Sequence, residues 1–370
     1  MIFCIFLLFL LFSTTVFCGG YQINPILNEN PAILHQVNQM TSIIGGSGVS
    51  IRNQFQGRVG PTTGTALSET WSGLPYFRYA YRLNPAWVTG FDLSCPALAN
   101  VQYPANSFVS PDGIDTILHD YNYSAKISYQ MREALTLGVG LDLNQVTDDQ
   151  VNFSVGSLGK MTNKTQGWSY GWDAGLYADL DDVNALSFTY TSLIHFNHLT
   201  GFSQLADVYR GDFSDNLIIP PFFLFSAIQQ LNERWRLSES ARFTSWSNVQ
   251  VLQFTNSAIG DRVFKLNYQD TWSAMFMAHA QWVESLGVNM TLEYDMSPQS
   301  IINRPIVYPT TRVAVVGGGF DYRLSPQWQI QCQYAFLFAN PAIRQFGPLV
   351  KNGHVNVQMN MLDFGVVWTL

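Results

Sequence analysis

The sequence predicts an all-β fold, a transmembrane antiparallel β-barrel of about 14 strands with an N-terminal plug segment in its lumen. Runs of period two occur along most of the chain. In the clearest of them every second residue from Trp328 to Phe336 is apolar, while glutamines fill the first three gaps, which is the pattern of a strand with one apolar and one polar face. Charged residues make up 12% of the chain and aromatic residues 14%, a balance that suits a surface facing lipid.

A polar turn followed by tryptophan recurs in the chain. Copies of this unit occupy residues 81–87, 230–235 and 322–328. Each copy places an indole at the start of the next strand, as a hairpin at a membrane–water interface requires. A soluble β-sandwich also alternates, but it has little reason to restart its strands on tryptophan, so the membrane interpretation is favoured.

The N-terminus divides into two predicted segments. Residues 2–12 form a continuous apolar run that leads to Gly19 and Gly20, so residues 1–18 are predicted to be a signal peptide, although no basic residue precedes the run. Residues 19–44 lack clean alternation and are predicted to be the plug, with a short helix at 32–39. Residues 45–370 are assigned to the barrel, because no later apolar stretch reaches the roughly 18 residues of a membrane helix.

Strand-like runs follow one another through the barrel region. They lie near residues 47–57, 72–82, 87–95, 121–130, 135–143, 148–156, 166–179, 184–200, 222–230, 235–255, 264–282, 286–295, 311–322, 328–336 and 355–370. Short turns alternate with longer connections, expected at 96–118, 202–221, 296–310 and 338–353. This is the pattern of a multi-pass protein of the Gram-negative outer membrane, with long loops outside. The last run alternates up to Leu370, as in a strand that barrel-assembly machinery recognises.

Six short motifs occur in one order along the chain, at residues 19–24, 30–32, 168–175, 217–220, 244–247 and 295–298. Together they resemble the outer-membrane long-chain fatty-acid transporter family (FadL type) over nearly the whole mature chain. The resemblance implies a fourteen-stranded barrel whose plug contains Tyr21, Asn30, Pro31 and Ala32. It also implies capture of hydrophobic ligands at the outer face and their sideways exit into the outer leaflet, through a gap where the third strand kinks.

Pro96 marks the expected gap. Proline has no N–H to donate to a neighbouring strand, so the run at 87–95 should bend or lose its pairing near Ala97, Leu98 and Asn100. The alternative is that Pro96 simply ends this strand at the first extracellular loop. Alternation in this strand places Cys95 on the lipid-facing side.

The resemblance also indicates ligand-binding residues. Asn152 and Lys265 align with two basic residues that meet the fatty-acid carboxylate in the family, and Leu217, Pro220 and Phe222 lie in an apolar outer stretch. A neutral Asn152 leaves room for uncharged hydrophobic substrates. The family's long insertion after the fifth strand is almost absent, since only residues 157–165 are available for it.

The resulting prediction is a passive outer-membrane transporter for long-chain fatty acids or similar hydrophobic molecules, working as a monomer with outer-membrane lipid around it. The alternatives are a general porin for polar solutes, a lipid-acting barrel enzyme and a structural or adhesive barrel. The net charge of −7 argues against a nucleic-acid partner. No enzyme or cofactor is predicted, because no serine has a recognisable nucleophile setting and His195 and His198 face opposite sides of a strand.

Overall fold

The structure, a computed structural model, describes residues 30–302, 304–307, 309, 311–345 and 350–370, except for the side chain of His198. The predicted signal peptide and Tyr21 lie outside these residues. The strands are β1 (Met40–Val59), β2 (Thr62–Arg82), β3 (Trp87–Gln102), β4 (Asp115–Arg132), β5 (Leu135–Ser154), β6 (Lys160–Asp179), β7 (Asn184–Thr191), β8 (Ile194–Leu205), β9 (Val208–Ile219), β10 (Phe222–Gln230), β11 (Trp235–Thr244), β12 (Val251–Thr255), β13 (Arg262–Lys265), β14 (Thr271–Val283), β15 (Leu286–Asp295), β16 (Val313–Arg323), β17 (Trp328–Ala339), β18 (Ala342–Gln345) and β19 (Lys351–Thr369). Three 3-10 helices occupy Pro31–Gln36, Gly156–Leu158 and Trp246–Asn248, and no helix in the described part of the chain is long and apolar enough to cross a membrane.

The strands form one antiparallel sheet that closes into a barrel. Five consecutive pairs, β7/β8, β9/β10, β11/β12, β13/β14 and β17/β18, are halves of interrupted strands, so the 19 strands make 19 − 5 = 14 wall strands. The last strand pairs with the first, from Thr41↔Thr369 to Val59↔Lys351. The predicted fourteen-stranded barrel is therefore confirmed.

The repeated turns lie at the end of the barrel that also holds residues 30–39. They end at Trp87, Trp235 and Trp328, where β3, β11 and β17 begin as predicted. In each turn the side chain three residues before the tryptophan accepts a hydrogen bond from the indole residue's backbone N–H; these acceptors are Asn84, Asn232 and Ser325, at 3.1, 3.0 and 3.2 Å. A side chain that satisfies the turn's backbone fixes the strand start.

Large apolar side chains point outward around the barrel. Leu141 is 72% exposed, Tyr170 83% and Trp71 69%. Their neighbours along each strand point inward and are buried, as on β5, where Asp142 and Asn144 alternate with the exposed leucines. Lipid covers such an outer face in a membrane barrel, so the exposure is what the fold requires.

Several predicted boundaries differ from the structure. The predicted runs 135–143 and 148–156 form one strand, β5, and the connection expected at 96–118 is shorter because β3 extends to Gln102 and β4 begins at Asp115. The stretch 202–221 is not a loop, because β8 and β9 continue through it and meet at the two-residue turn Ala206-Asp207. This hairpin carries polar residues on both faces. It therefore lacks the alternation that lipid contact imposes on a strand, although its backbone is paired. The barrel begins at Met40 rather than at residue 45, since Met40–Ile44 pairs with β2, and all of it except Met40 also with β19.

The seam between β1 and β19 carries a buried polar clasp. The carboxylate of Asp363 on β19 accepts hydrogen bonds from Ser47 Oγ on β1 at 2.6 Å and from Tyr76 OH on β2 at 3.0 Å. The Tyr76 ring lies where side chains of Gly45 and Gly365 would be. Three strands are thus tied together at the point where the barrel closes.

Candidate functional site

The wall has a gap between β2 and β3. Backbone pairing of these strands runs only from Phe77↔Leu93 to Arg82↔Val88, although both strands continue for many residues toward the outer end. Pairing of β3 with β4 shifts register between Ser94 and Ala97, and Pro96 lies within this shift. The strand therefore does not end at Pro96 but bends there, leaving the outer half of β3 unpaired with β2.

The outer half of β3 is covered on both faces. The five consecutive residues from Ala97 to Val101 are all buried, whereas a wall strand facing lipid buries every second residue. Cys95 is also buried, against Leu74 and Leu98, which corrects its predicted lipid-facing position. The reason is the register shift, which reverses the alternation that holds before it.

Side chains close the outer rim of the gap. Asn100 Nδ2 donates to Ser72 Oγ at 2.9 Å and to the Trp71 carbonyl at 3.3 Å, and Thr70 Oγ1 donates to the Asn100 carbonyl at 2.5 Å. Farther out, the Gln102 N–H donates to Ser68 Oγ at 2.7 Å. A window therefore lies between the Phe77↔Leu93 pair below and the Asn100 contacts above.

Pro75 lies on the β2 edge of this window, a feature that the sequence analysis did not single out. It is in register with Gly46 of β1 and carries no N–H. Since Pro96 stands on the β3 edge, both edges of the window contain a residue that cannot donate to a ladder. A proline inside the predicted strand 72–82 was the available signal.

Two buried apolar clusters meet at the bent strand. The seam cluster, on β1, β2, β3, β16, β17 and β19, consists of Val49, Ile51, Leu74, Cys95, Leu98, Val313, Val315, Ala335, Leu337, Ala339, Met359 and Met361. The β3–β9 cluster consists of Ala97, Ala99, Leu118, Val146, Ile194, Phe196 and Leu199, with Leu217 and Ile219 packed against it. The predicted window residue Ala97 and the predicted ligand residue Leu217 thus share one cluster, which gives the lumen an apolar lining at the level of the window.

The other predicted ligand residues lie apart from one another. Asn152 is buried, where its amide donates to Asp115 and accepts from the Asn163 N–H at 2.8 Å. Lys265 is exposed at the end of β13. The side-chain amide of Asn152 is therefore already hydrogen-bonded within the barrel wall.

Pro220 and Phe222 mark the interruption between β9 and β10. Pro220 is buried between the two strands. Phe222 lies on the inward-facing side of β10 with Leu224, and the guanidinium of Arg242 sits 4.6 Å from the centroid of its ring. A cation over an aromatic face in the lumen can receive a polar ligand group. No local pattern in the sequence marks Arg242 for this position.

The segment that begins at Asn30 packs against the inner wall. Asn30 Nδ2 donates to Ser187 Oγ at 2.6 Å and to the Leu176 carbonyl at 3.0 Å, while its Oδ1 accepts from the Ala32 N–H at 2.9 Å. Pro31 and Ala32 open the 3-10 helix Pro31–Gln36, which is shorter than the predicted helix.

Glycines in the wall make room for this helix. A side chain at Gly175 would overlap the Asn30 amide, and one at Gly138 would overlap the backbone of Ala32. Arg82 of β2 holds the end of the segment, since its Nε donates to the carbonyls of residues 37 and 38 at 2.9 Å. The packing of the helix against the wall therefore depends on residues of the helix segment and on residues of the wall.

A row of charges lies in the lumen beside this helix. Arg78 Nε is 2.7 Å from Asp92, and Lys126 Nζ lies 3.8 Å from Asp92 and 3.7 Å from Asp173. The sequence predicts a lumen ion pair for Lys126 with Glu29 or Asp142. Asp92 and Asp173 are its carboxylates here, while Asp142 accepts from Asn122 at 3.2 Å and Glu29 lies outside the described residues.

The outer mouth is covered on the side of β1 and β19. A third apolar cluster, the mouth cluster, consists of Phe55, Val59, Ala66, Val101, Tyr103, Val109, Ile306, Val307, Ile343 and Val355. It joins the loops 103–114 and 296–312 to the barrel wall. The connection between β5 and β6, by contrast, is only residues 155–159, which is shorter than the predicted stretch 157–165 because β6 begins at Lys160.

A buried ion pair fastens the two loops. Lys351 of β19 pairs with Asp112, and Asp112 Oδ2 accepts from the Ile306 N–H at 2.7 Å. Arg304 donates to the carbonyls of Ala342 and Gln299, both at 2.9 Å. Burial lowers the pKa of the Arg304 guanidinium to about 10, so it stays charged at neutral pH.

Comparisons with known proteins agree with this architecture. Residues 24–345 match the family model described as "Outer membrane protein transport protein (OMPP1/FadL/TodX)". Outer membrane protein P1 of Haemophilus influenzae is 22% identical, over 88% of this chain and 77% of that protein. A long-chain fatty acid transport protein of Salmonella typhi is 20% identical, over 64% of this chain and 63% of that protein.

Solved structures show the same fold. A Pseudomonas aeruginosa FadL homologue superposes with a TM-score of 0.83 at 17% identity, covering 92% of both chains. The Pseudomonas putida toluene transporter TodX gives a TM-score of 0.75 at 18% identity, covering 97% of this chain and 98% of that one. The chain therefore belongs to the OMPP1/FadL/TodX family, as an outer-membrane β-barrel of Gram-negative bacteria that is a transport protein and not an enzyme.

Proposed function

We propose that the protein is a passive transporter that takes hydrophobic molecules from the outer face into its lumen and releases them sideways through the window between β2 and β3. Members of its family transport hydrophobic molecules. The observation that carries the sideways exit is the loss of β2–β3 pairing beyond Phe77↔Leu93, with Pro75 and Pro96 on opposite edges. In a closed barrel such a gap removes hydrogen bonds that lipid cannot replace, so a functional reason is required.

The apolar clusters supply the route. The β3–β9 cluster and the seam cluster lie on the two sides of the bent strand and both reach the window. Burial in such surroundings favours an apolar ligand by about 25 cal/mol for each Å² removed from water. The free energy of a ligand that enters at the outer mouth therefore falls as it approaches Pro96.

The candidate ligands are suggested by the related proteins and by the charged residues near the lumen. The related proteins named above include a long-chain fatty acid transport protein and a toluene transporter, so fatty acids and monoaromatic hydrocarbons are the two candidates. Capture of a fatty acid would place its carboxylate near exposed Lys265 at the outer end or near Arg242 over Phe222. Asn152 gives no positive charge to such a ligand, and its amide is already engaged.

The segment from Asn30 to Ala32 acts in this proposal as a movable plug. It closes the inner end through Asn30 and the helix Pro31–Gln36, so a ligand is directed to the wall rather than to the periplasm. Its hydrogen bonds to the wall involve few side chains, mainly Asn30 and Arg82, so breaking them would let the segment shift during transport. Replacing Asn30 by alanine should change uptake in a folded barrel; unchanged uptake would remove the plug from the mechanism.

The experiment is uptake of labelled oleate and of labelled toluene by a host that lacks its own transporter. Wild type is compared with Pro96→Val and with the double variant Pro75→Val/Pro96→Val, because valine restores an N–H to each edge. Pro85→Ala, in a turn far from the window, is the matched control. Heat-modifiable migration on gels establishes equal amounts of folded barrel.

Wild-type uptake that falls in the single variant, falls further in the double variant and persists in the control supports the sideways exit. Uptake of one substrate but not the other identifies the ligand class. Equal uptake in all four proteins would mean that the window is not the exit. No uptake by the folded wild type, together with steady ion conductance in planar bilayers, would replace this proposal with a porin.

A further inference from the structure

Asp120 of β4 places a carboxyl group inside the apolar β3–β9 cluster. It is in register with Ala97 on one side and Val146 on the other, and both are members of that cluster. The even-numbered residues of this part of β4 face the lumen, as Lys126 and its ion pairs show. The carboxyl therefore lies on the inward face, directly beside the strand that forms the window edge.

The carboxyl of Asp120 is fully buried and has no hydrogen-bond partner in the part of the chain that the structure describes. Its relative exposure is 0%, and neither oxygen has a hydrogen-bond partner among the described residues. A buried polar group without a hydrogen bond costs about 1–3 kcal/mol, and a charged one costs more. An acceptor kept at this cost beside the exit indicates a role in binding.

A second unpartnered group lies one step below it. Asn144 of β5 is fully buried, its Oδ1 accepts from Asn122 at 3.2 Å, and its Nδ2 has no partner among the described residues. Asn144 is paired with Asn122, two residues along β4 from Asp120. Asp120 and Asn144 therefore lie diagonally across β4 and β5 on the inward face, at the border between the apolar cluster and the polar layer beneath it.

We propose that Asp120 and Asn144 form a head-group site for hydrophobic molecules that carry a hydroxyl group, an aliphatic alcohol or a phenol. A hydroxyl has one hydrogen to donate to Asp120 and lone pairs to accept from Asn144 Nδ2, so it satisfies both groups at once. Its apolar part lies against Leu118, Val146 and Ala97. This inference rests on the proposed transport of hydrophobic molecules and names a ligand class other than the two considered above.

The same pair disfavours the two substrates considered above. A hydrocarbon such as toluene leaves both groups unsatisfied. A carboxylate accepts from Asn144 but has no hydrogen for an acceptor oxygen of Asp120, and its own charge would have to leave water for apolar surroundings. Sites that hydrogen-bond a substrate hydroxyl reject analogues lacking it, because their own polar groups are then left unpaired.

The experiment measures binding by isothermal titration to the full-length protein in lipid nanodiscs, with empty nanodiscs as the blank. The ligands are two matched sets: p-cresol, toluene and p-toluate, and 1-octanol with octanoate. We expect wild type to bind p-cresol or 1-octanol about tenfold more tightly than the matched toluene or carboxylates, as the gain of hydrogen bonds to a buried acceptor implies. The set that shows this gain distinguishes a phenol from an aliphatic alcohol.

Variants then test whether Asp120 is responsible for the preference for hydroxyl compounds. Asp120→Leu should lose the tenfold preference and retain toluene binding. Asp120→Asn keeps an acceptor, so it should retain hydroxyl binding and gain affinity for the carboxylates. Asp215→Asn is the matched control, because that buried carboxyl already accepts from Thr165 at 2.9 Å, and it should behave as wild type.

Three results would overturn the inference. One is wild-type binding of toluene or of the carboxylates at least as tight as that of the hydroxyl compounds. Another is a hydroxyl preference that survives in a folded Asp120→Leu barrel. In both cases hydrophobic binding remains and the proposed transport function stands, whereas the third result, no binding of any ligand by folded wild type, removes both.

Discussion

Asn100 of β3 donates a hydrogen bond of 2.9 Å to Ser72 of β2 at a level where the backbones of the two strands are not paired. The rim of the window is therefore held by side chains. A backbone ladder would have to break several hydrogen bonds together in order to open, but this rim depends mainly on one amide and its neighbours. The window is thus sealed by contacts that can be removed singly.

Replacing Asn100 by leucine should open the rim. The substitution removes the two hydrogen bonds that Asn100 Nδ2 donates. Each contributes about 1 kcal/mol, so each loss shifts an opening equilibrium about fivefold toward the open state. We expect faster uptake of the transported hydrophobe, measured as initial rate per folded barrel. Gln130→Leu is the control, since that amide donates to the Glu133 carbonyl in a distant turn; an Asn100→Leu rate at or below wild type would contradict the role of the rim.

Cross-linking the window should have the opposite effect. Leu74 and Leu98 belong to one buried cluster across the gap, so cysteines at both positions, with Cys95 and Cys332 replaced by alanine, are to be tested for oxidative cross-linking of β2 to β3. Oxidation should remove most of the uptake and a reductant should restore it. Each single-cysteine protein serves as control, and full uptake by a protein shown to be cross-linked would place the exit elsewhere.

Gly175→Ala should displace the plug segment. The added methyl group would overlap the Asn30 amide, and overpacking of this kind costs about 1–3 kcal/mol. We expect higher ion conductance in planar bilayers and faster labelling of a cysteine placed at Ala32. Gly46→Ala adds the same methyl at an ordinary contact distance and should leave both readings at the wild-type level; a closed, unlabelled Gly175→Ala barrel would show that this packing does not hold the plug.

Lys351→Met should loosen the outer mouth. The substitution leaves Asp112 buried without its cation, and breaking a buried pair from one side costs about 3–5 kcal/mol. Protease cleavage within loop 103–114 should therefore become faster. The double variant Lys351→Met/Asp112→Leu should recover part of the protection, and equal cleavage of wild type and Lys351→Met would mean that the ion pair does not hold the loop.

The barrel could be predicted because its outer surface faces lipid. That environment imposes alternation on every strand and tryptophan at the strand starts, and both signals are local in sequence. Trp87, Trp235 and Trp328 therefore marked three strand boundaries correctly. Where the wall leaves the lipid, as in the β8–β9 hairpin, the same signals disappear and the strands were missed.

The site could be predicted only in part, because its geometry depends on contacts between distant residues. Proline has a local chemical meaning, so Pro96 pointed to the window. The partners of Asn152 and the apolar neighbours of Asp120 come from adjacent strands, and the strand register that brings them together is not visible in any local pattern. Alignment with a family indicates which residues occupy corresponding positions. It does not indicate which hydrogen bonds those residues make in this structure.

The clasp at Asp363 has a consequence for how the barrel forms. It joins residues 316 positions apart, Ser47 and Asp363, and such distant pairing is slow because a long loop must close first. A slip of one residue between the first and last strands would turn the Asp363 carboxylate toward lipid, at a cost of several kcal/mol. The clasp therefore favours the correct register when the last strand pairs with the first during assembly.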